Sequence, residues 1–375
     1  MNTLIAVNGP TQLLSAVVAL EELAQGSEGM HILGINLPRT VSSEQDEALV
    51  ALIRACAETL HAWAAVVDLR TLPLSPGHGL QLPDGREIEI DSLFVNLMEM
   101  PENQRLFSQW PQAQRVCYGD GLGIHAALSD FMADAAWHDH ARRALGVFIP
   151  RLRPSPRPQK TPGDIGCFLL DDHEAQKHFR EVRMISPVRY RANFERMAAA
   201  LEVPGIEAWL DQLPADGACD VLLLTNLPAG VIHADYEVQA YLRLLDDGPG
   251  QRPSAILVKA HPRGRADFVS ELSAHLAKFY KRVIVLAQDM AVMPVEVLLA
   301  RAFQAGKLIA QRCRIFATST AAYSMPVMFG LPVTLGFGES TCRRLYRHAG
   351  WCCTRVRHER VLSLNLIQLQ RIGHL

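Results

Sequence analysis

Short apolar runs separated by helix-length segments constrain this chain more than any other feature, and the alternation occurs twice. Leu4-Ile5-Ala6-Val7 reads as a buried strand, Asn8-Gly9-Pro10 as the turn closing it, and Thr11 as the cap of a helix over residues 12–24. Strands are expected at 31–36, 64–68, 92–96 and 115–118, with a long helix over 43–61. Runs this short and this apolar, spaced by helices, predict a mainly parallel sheet covered on both faces.

The pattern then stops and restarts. Arg151-Leu152-Arg153-Pro154-Ser155-Pro156-Arg157-Pro158 opens a stretch too rich in proline for a helix or a central strand. Beyond it, strands are expected near 220–225, 255–259, 283–286, 314–317 and 333–335, with helices between. The organisation predicted is an N-terminal Rossmann-like domain over 1–150, a linker over 151–164 and a second Rossmann-like domain over 165–340. An Arg-rich tail over 341–375 follows. Two doubly wound α/β halves make a GT-B-like architecture, with the active site expected in a cleft between them.

Composition excludes some partners. Lys and Arg number 37 against 39 Asp and Glu, a net charge of -2, whereas a duplex-binding protein leaves a basic footprint; nucleic acid is not expected. The eight cysteines form no CxxC pair and no zinc-spaced cluster, so they read as small core residues in a reducing compartment. No secretory signal is visible and no run approaches the roughly 18 apolar residues of a membrane span, so a cytoplasmic protein is expected.

Four segments carry candidate chemistry. Ala255-Ile256-Leu257-Val258 is a buried strand that runs into Lys259-Ala260-His261-Pro262-Arg263. The proline ends the strand, and the histidine then stands at the carboxyl edge of a parallel sheet between two cations, a field suited to phosphate. A solvated strand-end histidine is the plain alternative. In Tyr118-Gly119-Asp120-Gly121-Leu122-Gly123, glycines on both sides leave one carboxylate unshielded; the alternative is a turn in which Asp120 caps a helix. The spacing is not GxGxxG, and the motif follows a late strand, which argues against a dinucleotide loop.

Pro294-Val295-Glu296-Val297 sets a carboxylate in an apolar run, costly unless ribose hydroxyls or an unseen arginine satisfy it; the plain alternative is a capping or salt-bridged Glu. Ile315-Phe316-Ala317-Thr318-Ser319-Thr320 runs a strand into hydroxyls, either an anion site or ordinary N-capping. His138 and His140 do not share a helix face, so they are not read as metal ligands.

Taken in order, Gly119-Asp120-Gly121, His261-Pro262, Pro294-Val295-Glu296 and Ser319-Thr320 resemble the motif series of bacterial sialyltransferases, the polysialyltransferase-like family above all. Asn8-Gly9-Pro10-Thr11-Gln12-Leu13-Leu14 is similar to that family's first strand-turn-helix. The resemblance spans roughly residues 4 to 335. The family's acidic motif carries two acidic residues before its glycine; here the first is Gly119 and the second is kept as Asp120.

The resemblance implies an inverting glycosyltransferase that moves a nonulosonic acid from a CMP-activated donor to a glycan, glycolipid or protein acceptor. Asp120 and His261 would be catalytic. Gly119, Gly121, Lys259, Pro262, Arg263, Glu296, Ser319 and Thr320 would bind substrate. No cofactor is expected beyond the donor substrate itself, and no Asp-x-Asp pair accompanies the phosphate motifs in the C-terminal half, so no metal requirement is expected either. Alternative readings are a CMP-Kdo transferase, a UDP-sugar epimerase and a catalytically silent binding module of the same architecture. Arg343, Arg344, Arg347, Arg355, Arg357 and Arg360 against the single acid Glu359 offer peripheral contact with an anionic membrane surface, a site for an anionic glycan acceptor, or a helical face expected to pack across the two domains.

Overall fold

A computed structural model describes residues 1–23, 29–37, 43–72, 78–96, 98, 100–119, 163–169, 179–225, 227, 230–248, 250–261, 264–286, 290, 292–318 and 323–372. The chain divides into two compact units, Met1–Asn193 and Phe194–Leu375.

The first unit holds β1 (Thr3–Val7), α1 (Pro10–Leu23), β2 (His31–Ile35), α2 (Ser43–Leu60) and β3 (Ala65–Asp68). A two-residue antiparallel pair follows, β4 (Leu80–Gln81) and β5 (Glu87–Ile88). The unit then continues with β6 (Ser92–Val95), α3 (Pro101–Gln109), β7 (Gln114–Gly119), β8 (Gly163–Phe168), β9 (Phe179–Met184) and α4 (Pro187–Ala200), which carries the chain into the second unit. Seven strands form one sheet in the order β3-β2-β1-β6-β7-β8-β9, every pair parallel. All five residues of β1 are buried, as a central strand covered on both faces requires. Helix α1 buries Leu13, Leu14, Val17, Val18 and Leu20, each worth about 1.5–3 kcal/mol when fully removed from water, and packs on α2 and β7.

The second unit holds α5 (Ile206–Leu210), β10 (Cys219–Leu223), α6 (Ala234–Asp246), β11 (Ala255–Lys259), α7 (Ala266–Leu276), β12 (Arg282–Val285) and α8 (Val295–Gln304). It closes with β13 (Cys313–Ala317), α9 (Ser324–Phe329), β14 (Val333–Leu335), α10 (Glu339–Leu345) and α11 (Ala349–Ile372). Its parallel sheet runs β12-β11-β10-β13-β14. Setting aside the β4–β5 pair, both sheets begin 3-2-1-4-5, the doubly wound order, with a switch point between the first and fourth strands. Those points are β1/β6 and β10/β13. Two such units in tandem are the GT-B-like set of elements expected.

Three expectations change. The proline-rich stretch 151–162 lies outside the described residues, but β8 and β9 after it complete the first sheet, so the units part after Asn193 rather than near 165. Thr11 does not stand at a helix N-cap: α1 starts at Pro10, whose fixed φ and missing N–H suit the first helical turn. Residues 341–375 do not form a separate tail either. Helices α10 and α11 belong to the second unit; α10 packs on α6, and α11 packs on α10 and α9. There Arg347 donates to the Ile232 carbonyl at 2.7 Å, Arg355 is buried against Glu359, and Arg343 pairs with a second acid, Glu339.

None of the eight cysteines is in a disulfide, and Cys353 alone among them is exposed. No helix among the described residues is long and apolar enough to cross a membrane.

Candidate functional site

In the second unit the register fixes how the strand ends meet. Leu223 of β10 pairs with Lys259 of β11 on one side and with Ala317 of β13 on the other. The residues following β11 and β13 therefore leave the carboxyl edge at one level, flanking the end of β10, where an open α/β sheet holds its ligands. The ladder persists briefly past the strands, with the Leu224 N–H donating to the Lys259 carbonyl at 3.0 Å.

Lys259 and Glu296 face each other electrostatically at this edge. Burial pulls the half-buried Lys259 ammonium down to about 8, and the Glu296 carboxylate opposes that shift. Glu296 is 4% exposed, in the first turn of α8 after Pro294. Burial pushes its carboxyl upward against three opposing influences: the Ser324 hydroxyl, its own backbone N–H and the Lys259 charge. The Ser324 hydroxyl donates to Glu296 Oε1 at 2.6 Å. A helix N-terminus favours an anion, which further explains a carboxylate in this apolar setting. The unseen partner is thus a serine with a lysine rather than an arginine. Ser324 carried no sequence signal, because it is 28 residues away and sits in an unremarkable Tyr-Ser-Met.

His261 is half-buried and its carbonyl accepts from the Gly264 N–H at 2.7 Å, closing a turn. With Thr225, Glu237 and Arg265 it lines a small pocket at the ends of β10 and β11. Arg265 pairs with Glu237 at 2.5 Å, and burial pushes the Glu237 carboxyl up to about 7 even against that guanidinium. This acid–base pair beside His261 escaped the sequence reading: Glu237 lies in an ordinary amphipathic helix, and only the fold brings α6 against the β11–α7 turn.

Behind the end of β13 lies a buried ionic bracket from the C-terminal helix. Arg355 donates through Nε to Glu359 at 2.8 Å and through Nη2 to the Thr318 carbonyl. Glu359 in turn accepts from the backbone N–H groups of Phe337 and Gly338, both at 2.9 Å. One helix thereby ties the exit of β13 to the exit of β14.

In the first unit, Gly119 ends β7 and is buried; the preceding Tyr118 is fully buried and donates its hydroxyl to the Ala6 carbonyl at 2.7 Å. The glycine of the acidic motif thus stands at a carboxyl strand edge, as expected. Asp120, Gly121, Pro262, Arg263, Ser319 and Thr320 lie outside the described residues, as do His138 and His140.

No family model matches this chain, and no curated protein is similar to it in sequence. Among solved structures it is similar to S. aureus MnaA in a co-structure with UDP (TM-score 0.46, 10% identity, 98% of this chain and 90% of that one). It is similar to a putative UDP-N-acetylglucosamine 2-epimerase from Listeria monocytogenes (TM-score 0.44, 10% identity, 99% and 90%). A Photobacterium damselae sialyltransferase, residues 113–497 corresponding to its GT-B domain, is also similar (TM-score 0.41, 10% identity, 97% of each chain).

Proposed function

We propose that this chain is an inverting glycosyltransferase that moves a nonulosonic acid from a CMP-activated donor to a hydroxyl of a glycan, glycolipid or protein acceptor, without a metal ion. What supports the reading is the coupled Lys259–Glu296 pair at the carboxyl edge of the second sheet, two residues from His261. A cation, a carboxylate and an imidazole at one carboxyl sheet edge suit a nucleotide monophosphate.

In this reading the acceptor oxygen attacks the anomeric carbon as the bond from that carbon to the phosphate oxygen breaks. The acceptor proton passes to Asp120, and the electron pair leaves with CMP. His261 hydrogen-bonds or protonates the departing phosphate, with Lys259 and Arg263 beside it in sequence to meet its charge. Glu296 accepts from ribose hydroxyls, exchanging part of its bond with Ser324 for them, and Ser319 with Thr320 holds the phosphate. Gly119 and Gly121, which lack a Cβ, admit the acceptor close to the backbone, and Pro262 belongs to the substrate-binding set.

Donor turnover tests this. The purified chain, with and without EDTA, is offered a CMP-nonulosonate, CMP-Kdo and UDP-N-acetylglucosamine, and release of nucleotide is followed. Release from the CMP-nonulosonate, unaffected by EDTA, is expected. Release from CMP-Kdo alone would move the donor assignment, UDP release or epimerisation would replace it, and no turnover with any donor would leave a binding module.

A further inference from the structure

Three adjacent strands of the first sheet, β2, β1 and β6, each run out into an asparagine: Asn36, Asn8 and Asn96. Val7 pairs with Ile35, and the Asn36 N–H donates to the Val7 carbonyl at 2.8 Å, so Asn8 and Asn36 leave the edge side by side. The β1/β6 boundary beside them is the switch point of this unit. A fourth amide, Asn103 of α3, lies beneath. Asn36 donates to Asn103 Oδ1 at 3.0 Å, and Asn103 donates to Asn96 Oδ1 at 3.4 Å. Asn96 and Asn103 are 7% and 3% exposed, whereas Asn8 and Asn36 are half-buried and open toward solvent.

The buried pair therefore orients Asn36 and leaves its carbonyl oxygen without a partner among the described residues. The Asn8 backbone N–H donates to Gln12 Oε1 at 3.2 Å, but its side-chain amide meets, among the described residues, only the Met100 thioether at 3.9 Å, a weak acceptor for an amide donor. No charged residue closes any of these three strands. The corresponding strand ends of the second unit read differently, with Lys259 and His261 flanking Ala260. Of the strands in corresponding positions, the one beside the first strand thus ends on charge in the second unit and on an amide in the first.

An amide both donates and accepts, as does a sugar hydroxyl, while an anion requires cations or convergent N–H groups. We propose that Asn8 and Asn36, held from below by Asn103 and Asn96, form a binding site for the hydroxyls of a neutral saccharide. That this saccharide is the acceptor rests on the transferase reading above; that it is neutral and hydroxyl-rich rests on the amides alone.

The test uses the full chain on an array of glycans with neutral hexose or N-acetylhexosamine ends and with sialylated, sulfated or phosphorylated ends. CMP affinity is measured by calorimetry in parallel. Retention on neutral glycans is expected, weakened about tenfold in Asn36→Ala and in Asn8→Ala, the scale of one hydrogen bond, with CMP affinity unchanged. If Asn36→Ala fails to fold because Asn103 loses its partner, Asn8→Ala decides. Retention of no neutral glycan, preference for anionic ends, or unchanged retention in a folded variant overturns the site. Neutral-glycan retention without CMP binding would keep this inference and remove the transferase reading; CMP binding without neutral-glycan retention would do the reverse.

Discussion

Lys259 carries a prediction that depends on its surroundings rather than its type. Burial brings its ammonium to about 8, so it loses its proton above that pH while the unfolded chain keeps one up to the usual lysine range. In that window the unfolded state binds more protons, so this residue makes stability rise with pH. Affinity for a nucleotide phosphate changes the other way, because the neutral amine no longer attracts it. Between pH 7 and 9.5 the charge on CMP itself is constant, its second ionisation lying near 6. Titrations across that range are expected to show weakening through about pH 8 that Lys259→Arg flattens. A wild-type affinity that stays level would remove Lys259 from the phosphate. Asp120 is tested differently. As general base, Asp120→Asn keeps its melting temperature and CMP affinity while turnover falls about 10²–10⁴-fold. As a helix cap it would lose about 1 kcal/mol or less and keep near-normal turnover.

Among the elements, the C-terminal helix α11 has the sharpest consequence. Arg355 and Glu359 are 10% and 7% exposed along their side chains, and together they fasten Thr318, Phe337 and Gly338. Removing one partner of a buried pair leaves an uncompensated charge, so Arg355→Met is expected to destabilise by about 3–5 kcal/mol, read by urea unfolding. Arg355→Met with Glu359→Gln should recover part of that loss; a double variant whose loss equals the sum of the two single losses would mean the two side chains act independently. Gly336 sharpens the point: it sits at φ +85°, and a Cβ there would come within 2.6 Å of Glu359 Oε2. Gly336→Ala is therefore expected to destabilise as well, and a neutral melting temperature would show that the bracket yields.

The whole molecule was legible in sequence where apolar runs were dense. β1, β2, β10, β11 and β13 are central strands buried on both faces, so their valines, leucines and isoleucines mark them without help from partners. β9 was not legible. Phe179–Met184 is an edge strand with one buried residue among mixed charges, and only pairing with β8 makes it a strand. Missing β8 and β9 is what misplaced the boundary between the units. The site divides the same way: Lys259 and Glu296 stood out because charge is rare beside buried strands. Ser324, Glu237 and the amides Asn36, Asn96 and Asn103 are ordinary residues until the topology assembles them.

A transferase of this kind must hold cytidine monophosphate at the carboxyl edge of the second unit's sheet, and calorimetric titration of the full chain with CMP, UMP and UDP decides whether it does. CMP is expected to bind, UMP and UDP to bind poorly, and His261→Ala to weaken CMP about 10–100-fold, the loss of one hydrogen bond to a charged group. Equal binding of UDP, or CMP binding untouched by His261→Ala in a folded variant, would contradict it.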